Sequence, residues 1–274
     1  MTTLSERMKA YEGAEASRTL ATGLPVLARI DGRAFHTFAG DLPKPYDNRL
    51  SQLMIDVMCA LIQETGARVG YTQSDEITLL WLERTDSEQL WFGRRVQKMT
   101  SQLAAQTSAM FNHLLPAYLP EKAAKRTLAS LPTFDARVWS VPSREEACNV
   151  FLWREQDAVR NSIEALARAH FSHGELQQKD TQTMTQMLAQ RDIRWGDLPA
   201  RHQRGTYAQR RTVLRIFAAD ELDALPERHL ARTDPTRAYE RTAIEVLDLP
   251  ALSRVVNRDE VLLDGAAPTV RESV

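Results

Sequence analysis

Cysteine is nearly absent from this chain: Cys59 and Cys148 are the two in 274 residues. They lie far apart in helix-like patterns, which excludes a disulfide scaffold or a zinc site and leaves two small buried hydrophobes. No apolar run approaches the roughly 20 residues of a membrane helix. The first residues, MTTLSERMKAYEG, lack the apolar centre of a secretory signal, so a cytoplasmic protein with no membrane partner is expected. Glycine-rich phosphate motifs of the P-loop or dinucleotide kind do not occur, and neither does a GxSxG elbow. Net charge is missing too. With 35 basic and 36 acidic residues the balance is -1, which excludes a uniformly basic nucleic-acid coat but leaves room for a local basic channel beside an acidic centre. What remains, 43% hydrophobic and 26% charged, is a globular composition for one large or two modest domains.

Residues 26–38, VLARIDGRAFHTF, organise the rest. Val26, Leu27, Ala28 and Ile30 read as a buried strand that ends at Asp31, and Gly32 allows a sharp turn. The amides of Arg33 through His36 then point at one anion as a nest, while Asp31 holds a divalent cation. A proline-stiffened loop over 41–47 delivers Lys44 and Asp47 to the start of a helix whose stripe (Leu50, Leu53, Met54, Val57, Met58, Leu61, Ile62) runs to Gly66. Before all of this, residues 4–15 read as a short packing helix capped by Thr3 or Ser5, with Leu4, Met8 and Tyr11 on one side.

Strand-like runs at 68–71 and 77–82 flank Thr72-Gln-Ser-Asp-Glu76 and predict a hairpin. If that hairpin neighbours the first strand, Asp31 and Asp75 meet at adjacent positions and can bridge a pair of magnesium ions. Residues 86–113 read as a helix that puts Arg94, Arg95 and Lys98 on nearly one side, with Pro116 and Pro120 breaking the chain after it. A fourth strand over 134–141 precedes a helix that Ser143 and Glu146 open as a capping box and that carries Arg154, Asp157, Arg160 and Asn161 to about His170. Seven arginines between Arg191 and Arg215, interleaved with Trp195 and Tyr207, suit either an RNA surface or a solvated charged face. From Ala219 onward the chain reads as an irregular extension.

Arg29-Ile-Asp-Gly-Arg-x-Phe-His36, Lys44-Pro-x-Asp47, Tyr71-x-Gln-Ser-Asp-Glu76, Arg95-x-x-Lys98, Phe134-Asp-x-Arg137 and Arg204-Gly-Thr206 follow one another along the chain. In order and approximate spacing these six motifs resemble the tRNA(His) guanylyltransferase family and its guanylyltransferase-like relatives, from about residue 4 to about residue 215. The resemblance implies an α+β fold: a polymerase-type palm, with a ferredoxin-like antiparallel sheet and flanking helices, plus helical additions. It divides the chain into a catalytic core (1–142), a helical and basic extension completing the family domain (143–218) and the irregular extension (219–274).

The implied activity is 3′→5′ addition of nucleotides to the 5′ end of tRNA through an adenylylated 5′-phosphate, with ATP and GTP as substrates and two Mg2+ ions as cofactors. Asp31 and Asp75 would ligate both ions, the Gly32 carbonyl would add a ligand, and Glu76 would support the centre. Amides of Gly32, Arg33, Ala34, Phe35 and His36, with Ser74 and Lys44, would hold the incoming triphosphate. Asp47, Arg95, Lys98 and Arg137 would bind the activating nucleotide, and Arg154, Asn161 and Arg204 are the candidate tRNA contacts. Eukaryotic members carry His-Ile-Asn-Asn where this chain has Val159-Arg160-Asn161-Ser162, which favours the relatives that repair 5′-truncated tRNAs over strict addition of one G to tRNA(His). A homotetramer or dimer of dimers is implied as well. Two other readings compete: a palm-fold cyclase acting on small nucleotides, whose glycine-flanked hairpin Ser74-Asp75-Glu76 lacks, and a non-catalytic RNA-binding module built on residues 191–215.

Overall fold

The computed structural model describes residues 2–83, 90–234, 236 and 238–271. In chain order the elements are α1 (Leu4–Ala16), β1 (Val26–Gly32), α2 (Phe35–Phe38), α3 (Asn48–Thr65), β2 (Val69–Gln73), β3 (Glu76–Trp81), α4 (Val96–Tyr118), α5 (Pro120–Ala124), β4 (Phe134–Ser140) and α6 (Arg144–His170). After these come α7 (His173–Leu176), α8 (Thr181–Ala189), α9 (Ala200–Arg204), β5 (Thr206–Arg215), α10 (Ala219–Ala224), α11 (Leu230–Thr233) and β6 (Tyr239–Leu247).

The six strands form one antiparallel sheet in the order β4-β1-β3-β2-β5-β6. Because β1 and β2 both run against β3, the α3 connection between them is a parallel crossover; α4 makes the same crossover from β3 to β4. That is the α+β, ferredoxin-like arrangement expected for the first four strands.

Each strand alternates its faces, and the two faces meet different partners. Val26, Ala28, Ile30, Ile77 and Leu79 point at α3 and α4, where Leu53, Val57, Leu61, Leu103 and Phe111 complete a core without solvent contact. Emptying one such position, Leu61→Ala for instance, costs about 2–5 kcal/mol. The opposite face, with Leu27, Leu80, Tyr71 and Tyr207, is covered by Phe151 and Ala147 of α6 and by Leu252, Val261 and Leu262 from the end of the chain.

Three elements differ from the sequence reading. α1 is capped by Thr3, with a capping box to Glu6, but buries none of its residues; Leu4, Met8 and Tyr11 all face solvent, so it is not a packing helix. The helix expected over 86–113 starts at Val96, after a kinked turn over Trp91–Arg94, and its residues 86–89 lie outside the described ones. It also runs through Pro116 to Tyr118. The carbonyl of Asn112, which the proline cannot bond, accepts instead from Arg126 Nη1 at 2.7 Å, so the helix loses no partner there. Finally, the segment from 219 is not wholly irregular. It returns as β6, pairing along Tyr207–Arg215 of β5 and carrying the sheet past the expected core.

Candidate active site

The end of β1 and the β2–β3 turn converge. Gln73 pairs with Glu76, leaving Ser74 and Asp75 as a two-residue turn in which Ser74 is left-handed (φ 51°) and its hydroxyl donates to Asp75 Oδ1 at 2.9 Å. Gly32 donates its amide to the Asp75 carbonyl at 3.2 Å, stitching the strand end to the turn. A Cβ at Gly32 would lie 2.6 Å from Phe35 Cδ2 and 2.8 Å from Asp75 Oδ2, so only glycine lets the carboxylate approach β1 this closely. Burial, with the nearby negative charge of Asp31 adding to it, pushes the Asp75 carboxyl above the ordinary carboxylate range against the pull of the Ser74 hydroxyl.

In the sheet register Asp31 stands opposite Glu76, and Asp75 comes next, in the turn beside Gly32. Glu76 is 3% exposed and already saturated. Arg154 donates to both of its oxygens (Nε to Oε1 2.6 Å, Nη2 to Oε2 2.8 Å), and Arg29 Nε lies 2.7 Å from Oε2. Burial raises its carboxyl and the two guanidiniums pull it back down. Glu76 is therefore a buried support beneath Asp31, not an open ligand. The same pairing removes Arg154 from the tRNA contacts: it is 3% exposed and also donates to Asp157 at 2.8 Å.

The expected amide nest is smaller than five residues. Gly32 N–H is spent on Asp75, and Arg33 N–H donates to the Thr133 carbonyl at 2.8 Å. The amides of Ala34 (φ 50°), Phe35 and His36, at the start of α2, have no helical acceptor and remain available to an anion.

A cavity of about 250 Å³ opens between the 39–47 loop, α3, the end of β2, α6 and α9. Lys44, Asp47, Ser74 and Asn161 all line it, so the structure gathers four of the sequence-predicted residues there. Lys44 Nζ is steered by the Ala39 carbonyl at 3.1 Å. Asp47 is the buried N-cap of α3 and is held by Arg49 through its backbone amide (2.8 Å), Nε (3.1 Å) and Nη2 (2.7 Å), which leaves it little capacity for a ligand. The sequence reading missed the wall facing them. His202 stacks on Tyr46 with ring centroids 3.5 Å apart, meets Asn48 Oδ1 at 2.8 Å, and is pushed down to about 4 by burial and the Arg201 charge. Nothing in a lone histidine within an arginine-rich run signals that partner 156 residues away.

Arg95 and Lys98 are not brought to the site by the same chain. Phe111 of α4 packs on Phe35 (5.5 Å) and Phe134 (5.3 Å) at the Asp31 end of the sheet, and Lys98 lies 13 residues earlier, about 20 Å back along the helix. There Arg95 bonds the Phe92 carbonyl and Lys98 lies over the Phe92 ring. Arg94, expected beside them, pairs with Glu83 before the helix begins. Arg137 is exposed on β4, 3.6 Å from Asp135, the motif aspartate that the sequence left without a role and that is Asp31's register partner. Arg204 lies at the end of α9, where its carbonyl accepts from Tyr71. The arginines of 191–215 do not form one face: Arg191 covers Phe171, Arg201 donates to Asn48, and Arg210 and Arg211 alternate across β5. Neither thiol offers a nucleophile, since burial pushes Cys59 up to about 11 and Cys148 up to about 12. No described helix is long and apolar enough to cross a membrane.

Residues 5–142 match the tRNAHis guanylyltransferase (Thg1) family. Among solved structures, a bacterial tRNA(His) guanylyltransferase (Thg1)-like protein in complex with ATP is 34% identical, with a TM-score of 0.70 over 76% of this chain and 87% of that one. A bacterial protein of the same description in complex with GTP is 29% identical, with a TM-score of 0.69 over 96% of this chain and 98% of that one. The probable tRNA(His) guanylyltransferase of Homo sapiens is 30% identical over 152 residues, which are 54% of this chain and 48% of the human protein. The match thus spans about half of that relative's length.

Proposed function

Because the chain belongs to the tRNA(His) guanylyltransferase family, we propose that it is a nucleotidyltransferase that adds nucleotides in the 3′→5′ direction to the 5′ end of tRNA. The observation that carries this reading is the convergence of Asp31 and Asp75 around Gly32, beside a cavity that presents Lys44 and Ser74. A 5′-monophosphorylated RNA end is a poor electrophile. ATP activates it by transferring its adenylyl group and releasing pyrophosphate; the 3′-hydroxyl of the incoming nucleotide then attacks the RNA phosphate, and AMP leaves. Catalysis of such transfers is mostly positioning and charge neutralisation. In this chain Lys44, the Ser74 hydroxyl and the amides of Ala34, Phe35 and His36 would hold the triphosphate, while Glu76 and Arg154 fix the strand that carries Asp31.

The donor set suits magnesium. Asp31 and Asp75 are hard oxygen donors, burial with the Asp31 charge adding to it lifts the Asp75 carboxyl, and Mg2+ is commonly held by one or two carboxylates plus substrate phosphates. Asp31, Asp75 and the Gly32 carbonyl would hold it, and when bound it would neutralise phosphoryl oxygens and acidify the attacking hydroxyl. Val159, Arg160 and Ser162, which depart from the eukaryotic pattern around Asn161, support repair of 5′-truncated tRNAs as the preferred reaction. A homotetramer belongs to the same proposal; light scattering giving the mass of one chain would contradict it.

The test is incubation with 5′-phosphorylated truncated tRNA, ATP and labelled nucleoside triphosphates. Extension at the 5′ end is expected, and Asp75→Ala should abolish it. A wild-type protein that extends no tRNA, full-length or truncated, would overturn the reading.

A further inference from the structure

Of the large apolar side chains of α6, Trp153 is the one left in solvent, 51% exposed. Of its four neighbours one turn away on the helix, Asn149, Gln156 and Asp157 are polar, and Val150 packs partly into the core. A lone ring in polar surroundings is far too small for a stable contact between copies, which needs about 800 Å² per partner. Yet the ring is not loose. The Arg154 guanidinium lies over one side of it at 4.6 Å from the ring centroid, and that guanidinium is locked in turn to Glu76 and Asp157. One side of the indole is thereby pinned and the other is open.

The place it occupies is informative. Glu76, which holds Arg154, stands opposite Asp31 in the sheet, and Asp31 stands opposite the exposed Asp135 on β4. Trp153 is thus two side chains from Asp31, at the border of a sheet surface that presents the charged Asp31, Asp135 and Arg137 to solvent. Such a surface offers an RNA end charge and hydrogen bonds, and of the two indoles beside it Trp139 of β4 packs partly into the core under α6 while Trp153 is the one more than half in solvent. Single-stranded ends are gripped by stacking of unpaired bases on such rings.

We propose that the open side of Trp153 stacks the terminal base at the 5′ end of the tRNA, positioning the 5′-phosphate over Asp31. This rests on the tRNA-extending reading above. The Arg154–Glu76 pair then has a second consequence: it makes the platform rigid, so that little ring freedom is lost on binding.

A truncated tRNA carrying 2-aminopurine as its 5′-terminal nucleotide tests it. Binding to the wild type should quench the fluorophore; Trp153→Phe should keep most of the quenching and Trp153→Ala should lose it. Trp153→Ala should also raise the KM for this RNA about tenfold, with most of the loss in KM rather than kcat. The same fluorophore placed inside the acceptor duplex should report no difference among the three proteins. Equal quenching by wild type and Trp153→Ala overturns the proposal, as does a Trp153→Ala effect that comes with a changed oligomer mass or a melting point that Trp153→Phe fails to restore. A wild type that extends the RNA, with Trp153→Ala at the same KM, overturns this inference alone; a wild type that neither binds nor extends it overturns the function as well.

Discussion

Replacing Arg154 by leucine separates a structural arginine from an RNA-binding one. The wild-type guanidinium supplies two of the three close cationic contacts of Glu76, at 2.6 and 2.8 Å, and the third, Arg29 Nε at 2.7 Å, remains after the change. Removing one partner of a buried ion pair costs about 3–5 kcal/mol, because a carboxylate is left short of counter-charge without water. The retained Arg29 contact places the expectation at the lower end, about 3 kcal/mol, read as a lower urea midpoint or a melting point reduced by about 5–10 °C. The pairing predicts strong coupling. The double variant Glu76→Leu/Arg154→Leu, which removes both charges, should recover at least half of that loss, since Asp157 keeps Arg160 and Arg29 keeps Asp31 nearby. Urea denaturation at pH 7 of the wild type, Glu76→Leu, Arg154→Leu and the double variant gives the coupling energy directly. Arg154→Leu with stability within about 0.5 kcal/mol of wild type, but weakened tRNA binding, would refute the reasoning and return Arg154 to the RNA surface.

Gly32→Ala should lower activity about a hundredfold while destabilising the fold by only about 1–2 kcal/mol, because the added methyl meets the Asp75 carboxylate; the check is extension kinetics beside a urea curve. Gly205→Ala should cost about 2–4 kcal/mol, since φ is +80° there and the new Cβ would lie 2.6 Å from the Thr72 carbonyl oxygen. His202 is held neutral, with its folded pKa near 4 against about 6.5 unfolded, so the unfolded chain binds the proton first. Its contribution is complete above about pH 6.5 and is lost as pH falls toward 4. Allowing for its partial exposure, the wild type should lose about 1–2 kcal/mol more than His202→Gln between pH 7 and pH 4.5, as compared by urea midpoints at the two pH values.

Local pattern carried much of this molecule. The α3 stripe closing on Gly66, the β1 run ending at Asp31, and the Ser74-Asp75 turn are all legible because each depends on residues within a few positions of one another. The first four strands are legible in those patterns; the crossover topology that joins them is implied by the family resemblance. What failed was long-range. Arg154 sits on a polar helix and reads as exposed, but its partner Glu76 is 78 positions away and buries it. Arg95 and Lys98 have a binding motif's spacing, yet sequence does not say at which end of the sheet α4 begins. β5 reads as a basic surface because only its first residues, Tyr207 to Gln209, are buried, and the pairing with β2 and β6 that makes it a strand spans over a hundred residues on one side. Pro116 signals a helix end, which Arg126 offsets by bonding the orphaned carbonyl.

The direction of addition is the central claim, and the sugar of the incoming nucleotide tests it most directly. With 5′-phosphorylated truncated tRNA, ATP and Mg2+, GTP should be added to the 5′ end. 3′-Deoxy-GTP, which lacks the attacking hydroxyl, should not be added, and the RNA should accumulate with an adenylylated 5′-phosphate. Incorporation of 3′-deoxy-GTP, as a chain terminator at the RNA 3′ end or as a 5′ addition, would contradict the account.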